Sequence, residues 1–272
     1  MNEACPLDGD AAAALLEPLT EIVRRAGDAV LAVDRSAMKV DGKTDGSPVT
    51  EADLAADRII AEGLARVAPG IPSLSEERAT HPALPYKETF FLVDPLDGTK
   101  EFVAGRDEFT VNVALVNRGT PLLGIVSAPA LGLIWRGVVG RGAERLTLGK
   151  GEPSVMPVRT RACPPRGQPW AVAVSRLHGD PRTEAFIASR PGAVRRELGS
   201  AVKFGRVAEG AVDIYPRLSP TSEWDVAAGH ALVTAAGGRI TDSSGKPLSF
   251  GTGRNGFIVP EFIAWGDPNA AT

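Results

Sequence analysis

The order of strand-like and helix-like segments constrains the fold of this chain more than any other feature. Between residues 89 and 140, four apolar strand-like segments follow one another with short breaks: TFFLVD, FTVNVALV, PLLGIVSAP and GLIWRGVVG. Strands that are neighbours in sequence favour a mixed or antiparallel sheet. From residue 170 onward, strand-like segments alternate with helical ones, as in WAVAVS, DPRTEAFIASR and AVRRELG. This order predicts an α/β fold with an α+β N-terminal half.

Two helices precede the first strands. Apolar residues recur at helical spacing through residues 19–33 and again through residues 51–67. The second helix begins after Thr50, and Asp53 three residues later completes a capping-box pattern. These helices need a sheet to pack on, so we expect residues 1–150 and 151–272 to form two halves of one compact body. The Pro-rich stretch GEPSVMPVRTRACPPRGQP between the halves is predicted to be a loop.

Composition excludes several classes of function. Of the 272 residues, 43% are hydrophobic and 23% are charged, which is typical of a globular protein with a sizeable core. The formal net charge of −3 offers no basic surface to a nucleic-acid polymer. No apolar run is long enough to span a bilayer, and the acidic N-terminus lacks the basic region of a secretory signal. We expect a cytoplasmic protein, with peripheral attachment at the inner membrane left open.

Two aspartates end the first of the four strands. In FFLVDPLDGTKEF, residues 90–102, Asp94 and Asp97 follow four apolar residues. The pattern alone favours an Asp-Pro and Asp-Gly turn, because such turn signals are common. Two carboxylates so close on a rigid strand end repel each other unless a cation lies between them. Carboxylate oxygens, with water and phosphate oxygens, are the ligands that Mg²⁺ prefers. The pattern leaves the roles of Lys100 and Glu101 open.

Further acids stand at the ends of other predicted elements. Glu76 and Glu77 end the apolar stretch IPSL, Asp53 lies in the first turn of one helix, and Asp225 lies in the first turn of another. Surface charge or helix capping explains each of them alone. Together with the two aspartates of residues 90–102 they exceed what capping requires. We therefore expect these acids to converge on one cation cluster.

Four motifs resemble one family of phosphatases. SPVTEAD, SLSEE, DPLDGTKEF and SEWDVAAGHALV occur in the order and at the spacing of the inositol monophosphatase superfamily of Mg²⁺-dependent, lithium-sensitive phosphatases. The resemblance covers roughly residues 19–260. It implies the layered α-β-α-β-α sandwich of the inositol monophosphatase and fructose-1,6-bisphosphatase type. Within the superfamily, LGSAVKFGRVAEGAVDIYPR and SPTSEWDVAAGHAL are similar to the CysQ-type bacterial 3′(2′),5′-bisphosphate nucleotidases. Leu177 departs from that branch, in which we expect a serine.

This resemblance implies a role for each motif residue. The metal ligands would be the carboxylates of Glu76, Asp94, Asp97 and Asp225 and the backbone carbonyl of Leu96. Thr99 and Asp53 would orient and polarise the attacking water. The backbone N–H groups of Gly98 and Thr99 would bind the phosphate, as the start of a helix can. Asp225 would face the substrate as well as a metal ion.

The implied mechanism follows from charge. Two or three Mg²⁺ ions on these carboxylates would neutralise the phosphate, lower the pKa of a water molecule and stabilise the leaving oxygen. Water would attack in line without a phosphoenzyme intermediate, because no cysteine or histidine in the motifs suggests a covalent nucleophile. We expect His230, inside an apolar helix, to be a hydrogen-bonded core residue. Trp224 is expected to pack in the core and to help fix Asp225.

A nucleotide with two phosphates needs cationic contacts away from the metal ions. The candidates are Arg176 at the end of a strand, Lys203 in the first turn of a helix that opens on Ser200, and Arg217 after the strand VDIYP. Ser200 and the start of this helix would help to hold an anion. Each cation alone is equally consistent with a solvated surface residue. Their shared position beside the Asp225 motif favours the substrate role.

Three functions are consistent with these residues and motifs. The first is removal of the 3′-phosphate from adenosine 3′,5′-bisphosphate to give AMP and phosphate, with the sulfated nucleotide as a further substrate. The second is hydrolysis of an inositol phosphate. Inositol-specific relatives typically carry an acid in the segment where this chain has Arg217 and no acid between Asp213 and Glu223. The third is a divalent-ion-binding or scaffold protein, which the presence of Thr99 and Asp53 disfavours. Monomer and homodimer both remain open.

Overall fold

The computed structural model describes residues 9–38, 40–42, 48–78, 88–176, 179–252 and 256–270. Their helices are α1 (Gly9–Ala14), α2 (Leu16–Ala32), α3 (Glu51–Val67), α4 (Thr99–Val103), α5 (Pro181–Ala188), α6 (Val202–Ala208) and α7 (Glu223–Ala235). Both predicted helices of the N-terminal half are present as α2 and α3, and α3 begins with the predicted capping box of Thr50 and Asp53. Among the described residues, no helix is both long and apolar enough to cross a membrane.

The N-terminal half is built around a seven-stranded sheet. Its strands are β3 (Ser73–Ser75), β4 (Thr89–Asp97), β5 (Thr110–Asn117), β6 (Thr120–Ala128), β7 (Leu133–Val138), β8 (Gly142–Thr147) and β9 (Ser154–Val158), in that order across the sheet. β3 and β4 are parallel and the other pairs are antiparallel, so the predicted mixed sheet is confirmed. A separate hairpin joins β1 (Val40–Gly42) to β2 (Pro48–Thr50).

The C-terminal half contributes a second sheet. The remaining strands are β10 (Ala171–Ser175), β11 (Val194–Leu198), β12 (Ile214–Arg217), β13 (Thr221–Ser222), β14 (Arg239–Thr241), β15 (Ile258–Val259) and β16 (Phe262–Trp265). Five of them form a sheet in the order β11-β10-β12-β16-β14, in which β10 is parallel to both of its neighbours. β13 and β15 form a small antiparallel pair beside it.

One face of the seven-stranded sheet is covered by α2 and α3. Successive side chains of a strand point to opposite faces of the sheet, so Phe91 and Val93 of β4 lie on the same face. Both are fully buried in one core with Leu19 of α2 and Ile60 of α3. This core anchors the strand whose end carries Asp94.

The other face of this sheet packs against α6 and α7, which separate the two sheets. Phe90 of β4 shares a core with Phe204 of α6, Leu232 of α7, and Tyr215 and Phe262 of the five-stranded sheet. Helix α5 packs in a third core on the far face of the second sheet. The layers are therefore helix, sheet, helix, sheet and helix, which confirms the predicted α-β-α-β-α sandwich.

Several segments differ from the prediction, and one of them, β8, was not predicted as a strand. β9 lies within the Pro-rich stretch that was predicted to be a loop; as an exposed edge strand it needs no apolar alternation and tolerates Pro157. β16 was not predicted, and its four residues are too short to show a period. Helix α6 begins at Val202 and not at Ser200, whose φ of +50° is incompatible with a helix. The first sheet continues to Val158, and the division near residue 150 stays a prediction.

Candidate active site

The strand β4 ends in an irregularity that separates its two aspartates. Asp94 pairs with Asn112 of β5 and Asp97 pairs with Thr110, and the register shifts between these two pairs. A bulge of this kind bends a strand and redirects its side chains, and bulges are frequent beside active sites. Gly98 follows in the left-handed conformation, at a φ of +90°, and α4 begins directly after it. The predicted turn is thus a bulged strand end that leads into a helix.

Three carboxylates meet at this strand end. Glu76 follows β3 directly, Asp94 lies on β4, and Asp225 lies in the first turn of α7. One oxygen from each of them lies within 4.8 Å of the other two. Asp97 lines the same cavity as these three residues. The predicted convergence of acids from separate elements is therefore present, although their roles as ligands stay predictions.

The charges of these acids perturb one another. The pKa of Asp94 is raised well above its ordinary value, chiefly because its complete burial disfavours the ionised form and then because of nearby Glu76, Asp97, Asp225 and Asp53. Burial, and next the charge of Asp97, raise the pKa of Asp225 to about 7. A bound cation would reverse both effects by stabilising the ionised carboxylates.

The donor set fits a hard divalent cation. Among the described residues, Asp94 Oδ2 is buried without a hydrogen-bond partner, while Oδ1 accepts a hydrogen bond from the Leu96 N–H at 3.1 Å. A buried carboxylate oxygen without a partner is costly unless an ion or water contacts it. Carboxylate oxygens suit Mg²⁺, a hard cation that is bound in proteins through carboxylates together with water and phosphate oxygens.

Asp53 has a second contact besides capping α3. Its Oδ2 accepts hydrogen bonds from the backbone N–H of Thr50 at 2.8 Å and from the Thr50 hydroxyl at 2.7 Å. Its Oδ1 lies 3.2 Å from the hydroxyl oxygen of Thr99, which also lies 3.1 Å from the carbonyl oxygen of Leu96. The capping box therefore fixes the Asp53 carboxylate where it can orient the Thr99 hydroxyl.

A cavity of about 250 Å³ opens over these residues. Ten of the residues singled out from the sequence line it: Glu76, Asp94, Leu96, Asp97, Gly98, Thr99, Ser200, Lys203, Arg217 and Asp225. Asp53 and Arg176 are not among the lining residues. Asp53 instead reaches the cavity through its contact with Thr99.

Lys203 is a buried cation on the wall of this cavity. Its ammonium group donates hydrogen bonds to the carbonyl oxygens of Leu198 at 3.2 Å and Ser200 at 2.6 Å, and it lies 5.2 Å from the centre of the Tyr215 ring. Burial lowers the pKa of Lys203 to about 8, against the opposing effect of Asp97. Two of its three N–H groups are engaged by these carbonyls, which leaves one for an anion.

Arg217 lies at the end of β12 on the same cavity. Its Nη2 donates to the carbonyl oxygen of Pro220 at 3.2 Å, and its buried Nε has no hydrogen-bond partner among the described residues. Arg217 and Tyr215 also line a smaller neighbouring cavity of about 70 Å³. Arg217 can therefore contact an anion that extends from one cavity toward the other.

Arg176 is placed differently from the other two cations. It is exposed, and its guanidinium donates to Glu108 Oε2 at 2.5 Å and to the carbonyl oxygen of Glu197 at 3.1 Å. Glu108 also accepts a hydrogen bond from the Gly199 N–H at 3.0 Å. Arg176 thus ties the loop before β5 to the end of β11, and its predicted contact with substrate stays a prediction. The neighbouring departure from the family pattern, Leu177, lies outside the described residues.

Two residues of α7 were expected in the core. His230 is buried against Phe250, with ring centres 5.5 Å apart, so its core position is confirmed. Its Nδ1 has no hydrogen-bond partner within the described part of the chain, contrary to expectation, and burial lowers its pKa to about 4. Trp224 packs against the central core and also lines the cavity, next to Asp225.

Several residues of the site carried no signal that was recognised in the sequence. Glu101, whose role the sequence left open, is buried and lines the cavity, and burial raises its pKa. Thr221 donates a hydrogen bond to Asp225 Oδ2, and Thr110 contacts both Ser200 and Asp97. The contacts of Thr110 join distant segments, which a local pattern does not report, whereas Thr221 lies only four residues before Asp225.

The chain belongs to the inositol monophosphatase family, which it matches over residues 12–264, and it is a phosphatase of that family. It is 40% identical over 251 residues to the 3′(2′),5′-bisphosphate nucleotidase CysQ of Shigella flexneri, covering 91% of this chain and 98% of that protein. The resemblance inferred from the motifs is therefore confirmed, including its CysQ-type branch.

Solved structures give the same picture. The structure of CysQ from Bacteroides thetaiotaomicron, a bacterial member of the family, matches with a TM-score of 0.75 at 31% identity, covering 92% of this chain and 96% of that one. An inositol monophosphatase from Zymomonas mobilis also matches with a TM-score of 0.75, at 26% identity, covering 96% and 97%. The fold alone therefore does not distinguish a nucleotide from an inositol phosphate as substrate.

Proposed function

We propose that this protein removes the 3′-phosphate of adenosine 3′,5′-bisphosphate in a Mg²⁺-dependent hydrolysis that yields AMP and phosphate. The sulfated form of the nucleotide is a further candidate substrate. One observation carries the proposal: a single cavity is lined both by the acidic group of Glu76, Asp94 and Asp225 and by the cations Lys203 and Arg217. The similarity to curated 3′(2′),5′-bisphosphate nucleotidases supports the same substrate class.

The acidic residues hold the metal ions in this proposal. The ligands are the carboxylates of Glu76, Asp94, Asp97 and Asp225 and the carbonyl oxygen of Leu96, for two or three Mg²⁺ ions. Bound Mg²⁺ neutralises charge on the phosphate and favours ionisation of water. The raised pKa values of Asp94 and Asp225 support this assignment, because both carboxylates gain most from a cation.

Asp53 and Thr99 position the attacking water. The Thr99 hydroxyl donates a hydrogen bond to Asp53 Oδ1, so its oxygen is free to accept a hydrogen bond from a water molecule in the cavity and to orient it. The backbone N–H groups of Gly98 and Thr99, at the start of α4, face the reacting phosphate. The contact of 3.2 Å between Thr99 and Asp53 supports the pair as a unit.

Lys203 and Arg217 bind the second phosphate. Two cations on one wall favour a ligand with a second anionic group, since an inositol monophosphate offers hydroxyl groups there instead. The segment from Asp213 to Glu223 contains no acid between these two residues that could accept hydrogen bonds from sugar hydroxyls. An inositol phosphate remains the second candidate, because an inositol monophosphatase matches this fold with the same TM-score as CysQ.

A matched pair of nucleotides tests the role of Arg217. Adenosine 3′,5′-bisphosphate and 3′-AMP differ only in the 5′-phosphate. We expect Arg217→Gln to raise KM for the bisphosphate by about 10- to 100-fold, the loss of a charge-assisted hydrogen bond, and to leave KM for 3′-AMP nearly unchanged. Phosphate release gives both constants, and chromatography identifies AMP as the product.

The control for this test is Arg24→Gln, which removes an exposed arginine on α2 that pairs with Glu21 and Asp28. It should leave both constants at their wild-type values. An equal change in KM for the two nucleotides in Arg217→Gln would contradict the proposed binding of the 5′-phosphate. The cytoplasmic location, and the choice between monomer and homodimer, stay predictions.

A further inference from the structure

The carboxylate of Asp97 accepts a hydrogen bond from one hydroxyl group and lies beside a second hydroxyl from another part of the chain. Ser200 Oγ donates to Asp97 Oδ2 at 2.7 Å, and Thr110 Oγ1 lies 3.5 Å from the same oxygen. The hydroxyl groups of Ser200 and Thr110 are also hydrogen-bonded to each other. Each hydroxyl has one proton. Because Ser200 uses its proton in the hydrogen bond to Asp97, Thr110 must be the donor in the hydrogen bond between Thr110 and Ser200. The result is a directed chain from Thr110 through Ser200 to Asp97.

The backbone around Ser200 is held in an unfavourable conformation. Ser200 has a φ of +50°, a backbone conformation that residues other than glycine rarely adopt. Such a conformation persists only where the surroundings impose it, and it is concentrated at functional sites. Here Glu108 accepts a hydrogen bond from the N–H of Gly199, and Lys203 donates to the carbonyl oxygen of Ser200. Contacts on both sides therefore fix the Ser200 hydroxyl over Asp97.

Two glycines permit this close approach. A Cβ at Gly199 would lie 2.5 Å from the carbonyl oxygen of Glu108, and a Cβ at Gly98 would lie 3.2 Å from the Cβ of Ser200. The segment of residues 198–203, from the C-terminal half, thus packs directly on the turn that follows Asp97. One end of the Asp97 carboxylate is held in place, and the other oxygen remains for a cation.

We propose that Ser200, supported by Thr110, is a positioning residue for Asp97 rather than a contact to the substrate. This inference rests on the proposed function, in which Asp97 is a metal ligand. Hydrogen bonds to the far side of a ligand fix its orientation, and their loss typically lowers metal affinity by about 10- to 100-fold. Asp94 and Asp225 repel the Asp97 carboxylate. Without its hydrogen bonds, Asp97 would therefore turn away from the position in which it can share a cation with them.

Metal affinity measured without substrate tests the inference. The binding of Mn²⁺, followed by its electron paramagnetic resonance signal, is compared between wild type, Ser200→Ala and the pair Thr110→Val and Thr110→Ser. We expect Ser200→Ala to weaken Mn²⁺ binding at least about tenfold. Thr110→Val should weaken it less, and Thr110→Ser, which keeps the hydroxyl, should restore it. KM for the nucleotide at saturating Mg²⁺ should stay within about twofold of wild type in all variants.

The variant Ser200→Gly distinguishes the effect of the Ser200 hydroxyl from the effect of its backbone conformation. Glycine adopts a positive φ without strain, so this variant loses the hydroxyl and keeps the conformation. It should show the same loss of Mn²⁺ affinity as Ser200→Ala, with equal or greater thermal stability. Unchanged Mn²⁺ affinity together with a raised KM in both Ser200 variants would overturn the inference and make Ser200 a substrate contact.

The two proposals fail separately. A wild-type protein that binds Mn²⁺ but does not hydrolyse the bisphosphate contradicts the proposed substrate alone, and the variants still decide the role of Ser200. Hydrolysis of the bisphosphate with Mn²⁺ affinities that are equal in all variants contradicts the role of Ser200 alone.

Discussion

At the scale of single residues, the site combines buried negative charge with one buried positive charge. Asp94 is fully buried and has a raised pKa, while burial lowers the pKa of Lys203 to about 8. Both groups are thus held in environments that disfavour their charged forms. In the proposed function, a polyanionic substrate with its divalent cations would compensate both, because it would bring positive charge to Asp94 and negative charge to Lys203.

The pKa of Lys203 predicts how substrate affinity depends on pH. The free protein loses the Lys203 proton as the pH rises through about 8, and in the proposed function only the charged form of Lys203 would bind the second phosphate. KM for adenosine 3′,5′-bisphosphate should therefore rise about tenfold between pH 7 and pH 9. The charged groups that influence Lys203 are Asp97, Arg217, Glu101 and Glu108. Initial rates of phosphate release at fixed Mg²⁺ measure this dependence.

Substitutions of Lys203 separate its titration from that of other groups. Lys203→Arg keeps its charge at pH 9 and should show a much flatter KM over this range. Lys203→Met should have a high KM at every pH. A rise in KM that is the same in wild type and Lys203→Arg would show that another group titrates.

Single residues differ in how far the sequence could predict their place. The acids at strand and helix ends could be predicted, because a buried strand that stops at a carboxylate is visible locally. The position of Glu101 could not be predicted, because a glutamate next to Lys100 is typical of a solvated surface. In the structure, Glu101 lies on the buried side of α4. Thr110 reads as an ordinary strand residue, and only the contact with Ser200, 90 positions later, brings it to the site.

At the scale of elements, the ends of strands and helices carry the chemistry. The bulge in β4 separates Asp94 from Asp97, and capping boxes at α3 and α7 fix Asp53 and Asp225. The box at Thr50 was predicted from the spacing of two residues. The bulge was not predictable, because it depends on the register with β5. The start of α6 depends on the positive φ of Ser200, which packing imposes.

A glycine of the first sheet allows α7 to pack closely on it. A Cβ at Gly124 of β6 would lie 2.1 Å from the carbonyl oxygen of Ala228 on α7. Any side chain at this position must move the helix away from the sheet. Since the same helix carries Asp225, a small displacement of α7 also changes the distances between the carboxylates of Glu76, Asp94 and Asp225.

Gly124→Ala should therefore weaken both the fold and the metal site. We expect the free energy of unfolding to fall by about 1–3 kcal/mol, as overpacking usually costs, and Mn²⁺ affinity to fall as well. Urea unfolding and Mn²⁺ titration measure the two effects. Gly149→Ala is the control, because no atom of the described residues lies within 4 Å of an added Cβ there. Wild-type stability in Gly124→Ala would contradict the close packing of α7 on β6.

At the scale of the whole molecule, the site lies where the layers meet. The first sheet supplies Asp94 and Asp97, the central helices supply Asp225 and Lys203, and the second sheet supplies Arg217. Neither half of the chain contains both the acidic group and the two cations. The layered fold was predictable from the order of elements together with the family motifs. The distances across layers were not, because they depend on packing between distant segments.

The proposed function requires that the cavity selects a nucleotide with two phosphates. The most direct test is the ratio of kcat/KM for adenosine 3′,5′-bisphosphate to that for inositol 1-phosphate, measured by phosphate release with Mg²⁺, with and without Li⁺. We expect Li⁺-sensitive activity and a ratio of at least about ten, which is the contribution of one charge-assisted contact to the second phosphate. An equal or higher kcat/KM for inositol 1-phosphate would contradict the proposed function.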